Sequence, residues 1–263
     1  MIWRLLNMKK IVALLLCLVL AAASALALAD DKADVITKGK LIVGITDFEP
    51  MDYRDTDGSW VGFDADLARK FGEYLGVEVE FQEIDWDNKV LELDSLTIDC
   101  VWNGMTLTDE VLSAMECSKP YMNNAQVVVM FADKIGSYST VESLSGLVFA
   151  VEAGSSGEKV ATELGLEVNA VQNQASALME VAAGTSDAAI IDALMAAAMV
   201  GEGTGYENLT YALPLNDEQY GVGFRKGSNL ADELNAFLDA CIADGSLLEL
   251  AKLYSVQGAL IGE

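Results

Sequence analysis

Residues 99–130, DCVWNGMTLTDEVLSAMECSKPYMNNAQVVVM, constrain this chain more than any other stretch. Cys100-Val101-Trp102 reads as a buried strand that breaks at Asn103-Gly104. A short polar turn, Met105-Thr106-Leu107-Thr108, then opens an acidic helix at Asp109-Glu110. After Pro120 the chain extends again and runs through the β-branched segment 126–129. A strand ending in Asn-Gly-x-Thr presents backbone N–H groups and a hydroxyl at its carboxyl end. That is the edge at which open α/β sheets bind small ligands. The extended run past Tyr121 can carry the chain out of one domain and into another. One segment is thus expected to supply a pocket floor and a hinge.

The flanking sequence repeats a single pattern. Residues 40–45 form an apolar, β-branched strand. The helix 64–75 follows, with Leu67, Phe71, Tyr74 and Leu75 on one face and Gly76 as its stop. A strand at 77–81 and a short helix at 88–96 lead into the central strand. Between the first strand and helix, Asp55-Thr56-Asp57-Gly58 reads as a hairpin turn. It lacks the spacing and closing Glu of a calcium loop. Beyond Met130 the alternation restarts, with strands at 147–151, 167–171 and 188–191. Helices are expected at 158–164, 174–183 and 193–200, and the tail adds a strand at 220–224 and helices at 230–243 and 247–254. Strand–helix alternation of this kind predicts an α/β protein with two mostly parallel sheets in series. A length of 263 residues accommodates two modest domains.

Residues 1–29 read as a targeting segment. Lys9-Lys10 precede an apolar run at 11–28, which closes on Ala27-Leu28-Ala29 before Asp30. A basic flank, an apolar stretch and an A-x-A site define a signal peptide, and the small-residue cleavage site favours that over a membrane anchor. Cleavage after Ala29 removes Arg4, Lys9 and Lys10 and no acid, which deepens the net charge from −25 to −28. Such a surface repels nucleic acid and anionic headgroups. The sequence has no histidine and no CxxC, which excludes the usual zinc sites and histidine-activated nucleophiles. No metal or cofactor is expected. Cys100 and Cys117 flank the central helix, either as a disulfide or as two separate buried thiols.

Asn103 to Thr108, followed by Cys117-Ser118-Lys119-Pro120-Tyr121, resembles the central signature of the family 3 extracellular solute-binding proteins. That family serves ABC importers of polar amino acids. Leu41-Ile42-Val43-Gly44, Phe48-Glu49-Pro50-Met51 and the stretches 58–67, 75–81 and 153–157 follow in the family's order, over nearly the whole mature chain. The resemblance implies a two-domain periplasmic binding protein type II fold, with two sheets joined by two hinge strands. It places one lobe at 30–125 plus 219–263, the other at 126–218, and the crossings near 124–127 and 215–220. It further implies a monomeric, periplasmic or secreted protein that is not an enzyme and that hands a small solute to a membrane permease. A cleft enzyme on the same scaffold, of the dehydratase kind, is the alternative, with Glu49 or Asp192 as its acid.

The same resemblance nominates the site. Phe48 and Trp86 match aromatic walls, although either ring also suits the core. Gly104 and Thr106, beside Asn103, match groups that hold the amino and carboxylate ends of an amino acid. Ser155 and Ser156 open a helix, where free N–H groups favour an anion or a serine simply caps. Asp192 matches the partner of the ligand ammonium, and it also stands where a helix cap would. Glu49 is a second acid near the cleft, or a solvated loop residue. Val111 departs from the family, which has an arginine there to clamp the ligand carboxylate. Either Thr106, Ser156 and helix N–H groups hold that carboxylate, helped by Lys89, or the ligand has none. Without the arginine, the cleft is expected to lack fixed positive charge. Neutral or cationic ligands should then be favoured over glutamate or aspartate, with an ammonium lying against Trp86 or Phe48.

Overall fold

The computed structural model describes residues 30–262. The signal-peptide reading of residues 1–29 falls outside them. Among the described residues no helix is long and apolar enough to cross a membrane.

Helix α1 (Asp31–Lys38) leads into β1 (Lys40–Ile45), followed by the hairpin β2 (Tyr53–Arg54) and β3 (Trp60–Val61). Helix α2 (Phe63–Leu75), β4 (Glu78–Glu83), a 3-10 turn at Trp86–Asn88 and α3 (Lys89–Asp94) bring the chain to β5 (Cys100–Thr106). The amphipathic spacing of α2 buries Phe63, Leu67, Phe71 and Leu75. Gly62 and Gly76 bound it at φ 132° and 74°, and the Gly76 N–H closes the last turn onto Gly72 and Glu73. Phe71 packs against Trp102 of β5 with ring centroids 6.1 Å apart. Each such ring, fully buried, contributes roughly 1.5–3 kcal/mol.

The first sheet has the order β4-β1-β5-β13-β6, with β7 paired to β13. Here α4 (Asp109–Ala114), β6 (Glu116–Cys117) and β7 (Met122–Asn124) follow β5, and β13 (Glu218–Phe224) comes from the far end of the chain. Strands β4, β1 and β5 run parallel, and β13 lies antiparallel to β5, β6 and β7. The second sheet comprises β8 (Gln126–Phe131), β9 (Val148–Glu152), β10 (Glu167–Val171), β11 (Ala188–Asp192) and β12 (Leu209–Pro214), in the order β10-β9-β11-β8-β12. Helices α5 (Ser156–Glu163), α6 (Gln174–Ala183) and α7 (Ala193–Met199) connect its strands. The tail helices α8 (Leu230–Ala243) and α9 (Ser246–Leu253) pack back on α2, on the first sheet's side.

Two sequence expectations change here. Strand β5 does not break at Asn103-Gly104 but continues to Thr106. The reason lies across the sheet: Tyr220 and Gly221 of β13 pair with Thr106 and Met105, and a register shift absorbs the kink at Gly104, whose φ is 54°. Asn-Gly thus makes a bulge within a strand, and Met105-Thr106 lie in that strand. The open question about cysteines also closes: Cys100 and Cys117 are both free thiols. Strand β13 lies between their strands, pairing Phe224 with Cys100 and Gly223 with Cys117. Two inter-strand spacings, about 10 Å, exceed the reach of a disulfide.

The chain passes between the sheets twice. Ala125 alone separates β7 from β8, and residues 215–217 separate β12 from β13. Glu218 already pairs with Asn124 in the first sheet.

Candidate functional site

A cavity of about 520 Å³ lies between the two sheets. It opens where the rule for α/β sheets puts it, at the carboxyl ends of strands. From the first sheet come Phe48 after β1, Trp86 after β4, and Asn103, Gly104 and Thr106 of β5. From the second come Glu152 ending β9, Ser155 and Ser156 beside it, and Asp192 ending β11. Eight of the nine nominated residues therefore share one cavity. Glu49 is absent from its lining and half-buried, its carboxyl raised by burial and by the charge of Asp47. The loop after Phe48 turns back to pair Phe48 with Asp52, which leaves Glu49 beside the cavity rather than in it.

The aromatic rings serve both purposes left open by the sequence. Phe48 is 2 % exposed, lines the cavity and meets the Tyr220 ring edge-on at 6.3 Å. Trp86 lines the cavity too, but Lys89 covers a face of it, its Nζ 4.9 Å from the ring centroid. The 3-10 turn beginning at Trp86 brings residue i+3 over residue i. The cleft thus does hold a cation, contrary to the expectation from Val111, and a ligand ammonium finds part of Trp86 already occupied. Lys89 donates to the Gly154 carbonyl at 2.9 Å and to the Trp86 carbonyl at 3.2 Å. Burial lowers its pKa against the opposing pull of Glu152, Asp87, Glu110 and Glu158.

The floor at Asn103-Gly104 is fixed from beneath by acids. Asn103 accepts from the Thr46 N–H and donates to Asp52 at 3.1 Å. Gly104 donates its N–H to Asp64 at 2.6 Å, so its carbonyl is what it can offer a ligand. Tyr121 donates to the same Asp64 carboxyl at 2.8 Å, and burial pushes that group up to about 7. Asp64 sits on α2, where the sequence shows only an acidic helix start.

Asp192 stands at the N-cap position of α7 but does not cap it through its side chain. Its side chain makes no bond to the first turn of α7. Instead it accepts from the side-chain amides of Asn124, Gln126 and Gln174, while its N–H donates to Gln174 Oε1 at 2.8 Å. Burial raises it well above the carboxylate range, reinforced by the charge of Glu218 and a hydrogen bond to it. Burial also acts to raise Glu218, but hydrogen bonds from Asp192, Ser156, Gln126 and Asn124 outweigh it and hold Glu218 low. The two carboxyls are thus driven apart, Asp192 toward its protonated form and Glu218 toward its ionised form. The serines divide their roles: Ser155 caps α5 by accepting from the Glu158 N–H at 3.1 Å, and Ser156 donates to Glu218 at 2.6 Å.

Sequence reading missed Glu152, Glu218, Gln126 and Gln174. Glu152 ends a strand as Asp192 does, so the strand-end rule contained the signal. Glu218 gave none, because its partners Thr106, Ser156 and the neighbouring Asn124 and Gln126 come from three separate stretches of chain. Only the crossing of β13 assembles them.

Two sheets joined by paired crossings, with a polar cavity at their strand ends, define a type II periplasmic binding protein. Residues 41–257 match the model of the bacterial extracellular solute-binding proteins, family 3, and the chain belongs to that family. It is similar to the arginine-binding extracellular protein ArtP of Bacillus subtilis, with 28 % identity covering 82 % of this chain and 86 % of that one. It is equally similar to the L-cystine-binding protein TcyJ of Escherichia coli, at 28 % identity over 82 % of each. Among solved structures, an ABC uptake transporter substrate-binding protein from Streptococcus pneumoniae with bound histidine superposes with a TM-score of 0.79. Its identity is 30 %, covering 86 % of this chain and 96 % of that one. Cyclohexadienyl dehydratase of Pseudomonas aeruginosa also matches, at 26 % identity over 59 % of each chain.

Proposed function

We propose that the cavity binds a small amino acid or related amine, which the protein delivers to the permease of an ABC importer. The observation that carries this reading is the division of the cavity between the sheets, with the buried Asp192 at its base. A ligand ammonium placed at Asp192 would take over the proton's role in holding that carboxylate beside Glu218. Phe48 supplies an apolar wall.

Residues 30–125 plus 219–263 form one lobe and 126–218 the other, with Glu218 at the junction. The lobes close about Ala125 and residues 215–217, because ligand contacts from both sides exist together only when the cleft is shut. The protein works as a monomer in the periplasm or as a secreted chain, after cleavage near Ala29. Mass spectrometry of whatever small molecule copurifies, followed by calorimetry with that compound, tests the ligand class. Small-angle scattering tests closure: the radius of gyration should fall on ligand addition, and an unchanged value counts against two moving lobes.

One observation favours an enzymatic reading. Burial pushes Glu152 up to about 8, against the opposing pull of Thr46, Lys89 and Gln174, so a protonated carboxyl faces the cavity near neutral pH. A general acid has that property. Incubation with cyclic acids of the dehydratase type discriminates: turnover that is lost in Glu152→Gln would establish an enzyme.

A further inference from the structure

Donors and acceptors in the cavity are unequally committed. Thr106 donates its hydroxyl to Glu218 Oε1 at 3.0 Å, and Ser156 donates to Oε2 at 2.6 Å. The Gly104 N–H goes to Asp64 at 2.6 Å, and the amides of Asn103 and Gln174 go to Asp52 and Asp192. Lys89 is held by two carbonyls. Just ahead of α5, Glu158 Oε2 takes the Gly154 N–H at 2.7 Å, which sets a carboxylate beside that end of the cavity. Val111 is buried in the lining and brings only an isopropyl group.

Acceptors are differently placed. Glu152 is 3 % exposed and lines the cavity, and its Oε1 has no hydrogen-bond partner. A buried carboxyl oxygen without a partner is costly; an incoming ammonium repairs it as the carboxyl gives up its proton and pairs with the cation. An incoming carboxylate would instead have to displace the carboxylate of Glu218 from two hydroxyls.

We propose that the physiological ligand is a small cation carrying no carboxylate, a diamine or guanidino amine with N–H donors at both ends, rather than an α-amino acid. This rests on reading the cavity as an amine-binding site and goes further, since it assigns the anionic position to the protein's own Glu218. One end of the ligand donates to Asp192 and the other to Glu152.

Pairs that differ only by the carboxylate test this: cadaverine against lysine, and agmatine against arginine. Calorimetry on the mature protein should show the amine binding at least tenfold more tightly than its amino acid in at least one pair. The double variant Val111→Arg/Glu218→Gln removes the resident charge, frees one of the two hydroxyls and adds a fork, and it should move that ratio at least tenfold toward the amino acid. An amino acid binding as tightly as its amine, or more tightly, overturns the proposal and leaves the broader reading intact. If neither member of either pair binds, the proposal falls together with the reading beneath it. Should the variant fail to fold, the wild-type panel still decides.

Discussion

At the scale of single residues, two side-chain positions govern whether the cleft can hold a cation and shut on it. Asp192 is the buried acid that an ammonium can reach. Its replacement by Asn removes the carboxyl that can ionise beside the cation, leaving the cation buried without a charged partner, and should weaken an amine ligand by roughly 2–5 kcal/mol. Unchanged affinity by calorimetry would show that the anchor lies elsewhere. Gly154 has φ 70°, and a Cβ there would stand 2.7 Å from the Cα of Asp87, across the cleft. In Gly154→Ala the left-handed backbone costs about 1–2 kcal/mol of overall stability, whereas the clash with Asp87 weighs on closure. Because the clash exists only in the closed form, ligand affinity should fall at least about tenfold. Scattering of the variant with ligand present should show incomplete closure. A variant that closes and binds as the parent does would remove Gly154 as a determinant of closure.

Among the elements, α2 and β13 do most to position the site. Helix α2 brings Asp64 under Gly104, and its start depends on Gly62, where φ is 132° and a Cβ would run into the Met51 carbonyl. Gly62→Ala should therefore destabilise the fold by at least about 2 kcal/mol through strain and displacement of that turn. Thermal unfolding reads this directly, and an unaltered midpoint would mean that the turn relaxes freely. The helix itself was legible from Leu67, Phe71 and Leu75 and from its Gly76 stop, since amphipathic spacing is local. Strand β13 was legible only as a short extended run. That it lies between β5 and β6, keeps Cys100 from Cys117 and turns Asn103-Gly104 into a bulge follows from pairing with residues more than a hundred positions away.

For the whole molecule, several buried acids act together. Burial raises Asp192, pushes Glu152 up to about 8 and pushes Asp64 up to about 7. A raised carboxyl retains its proton in the folded state at pH values where the unfolded chain has lost it. Stability therefore falls as pH rises from about 4 to about 8. A tenfold change in proton affinity on folding corresponds to about 1.4 kcal/mol, so ionising Glu152 alone across this window costs several kcal/mol. Glu218 acts in the opposite sense, its contribution fading only as pH falls through its lowered pKa. The ligand-free protein should accordingly melt higher at pH 5.5 than at pH 8.5, by calorimetry at constant ionic strength. A higher midpoint at pH 8.5 would contradict the protonated state assigned to these groups. The net charge adds in the same direction, since protonating acids relieves self-repulsion.

Strand and helix periods, glycine stops and charge balance are properties of neighbouring residues, so they were readable before any folding. Their alternation was enough for two α/β units and for a cavity at strand ends, where Phe48, Trp86, Thr106, Ser156 and Asp192 meet. The polarity of that cavity was set only when the chain folded. Lys89 lies over Trp86 and reaches Gly154 across the cleft, and Glu218 draws Thr106 and Ser156 to one carboxylate. Glu152 is left facing the space without a donor. Such contacts join residues far apart in the chain, and their energies depend on burial that exists only once both sheets have formed.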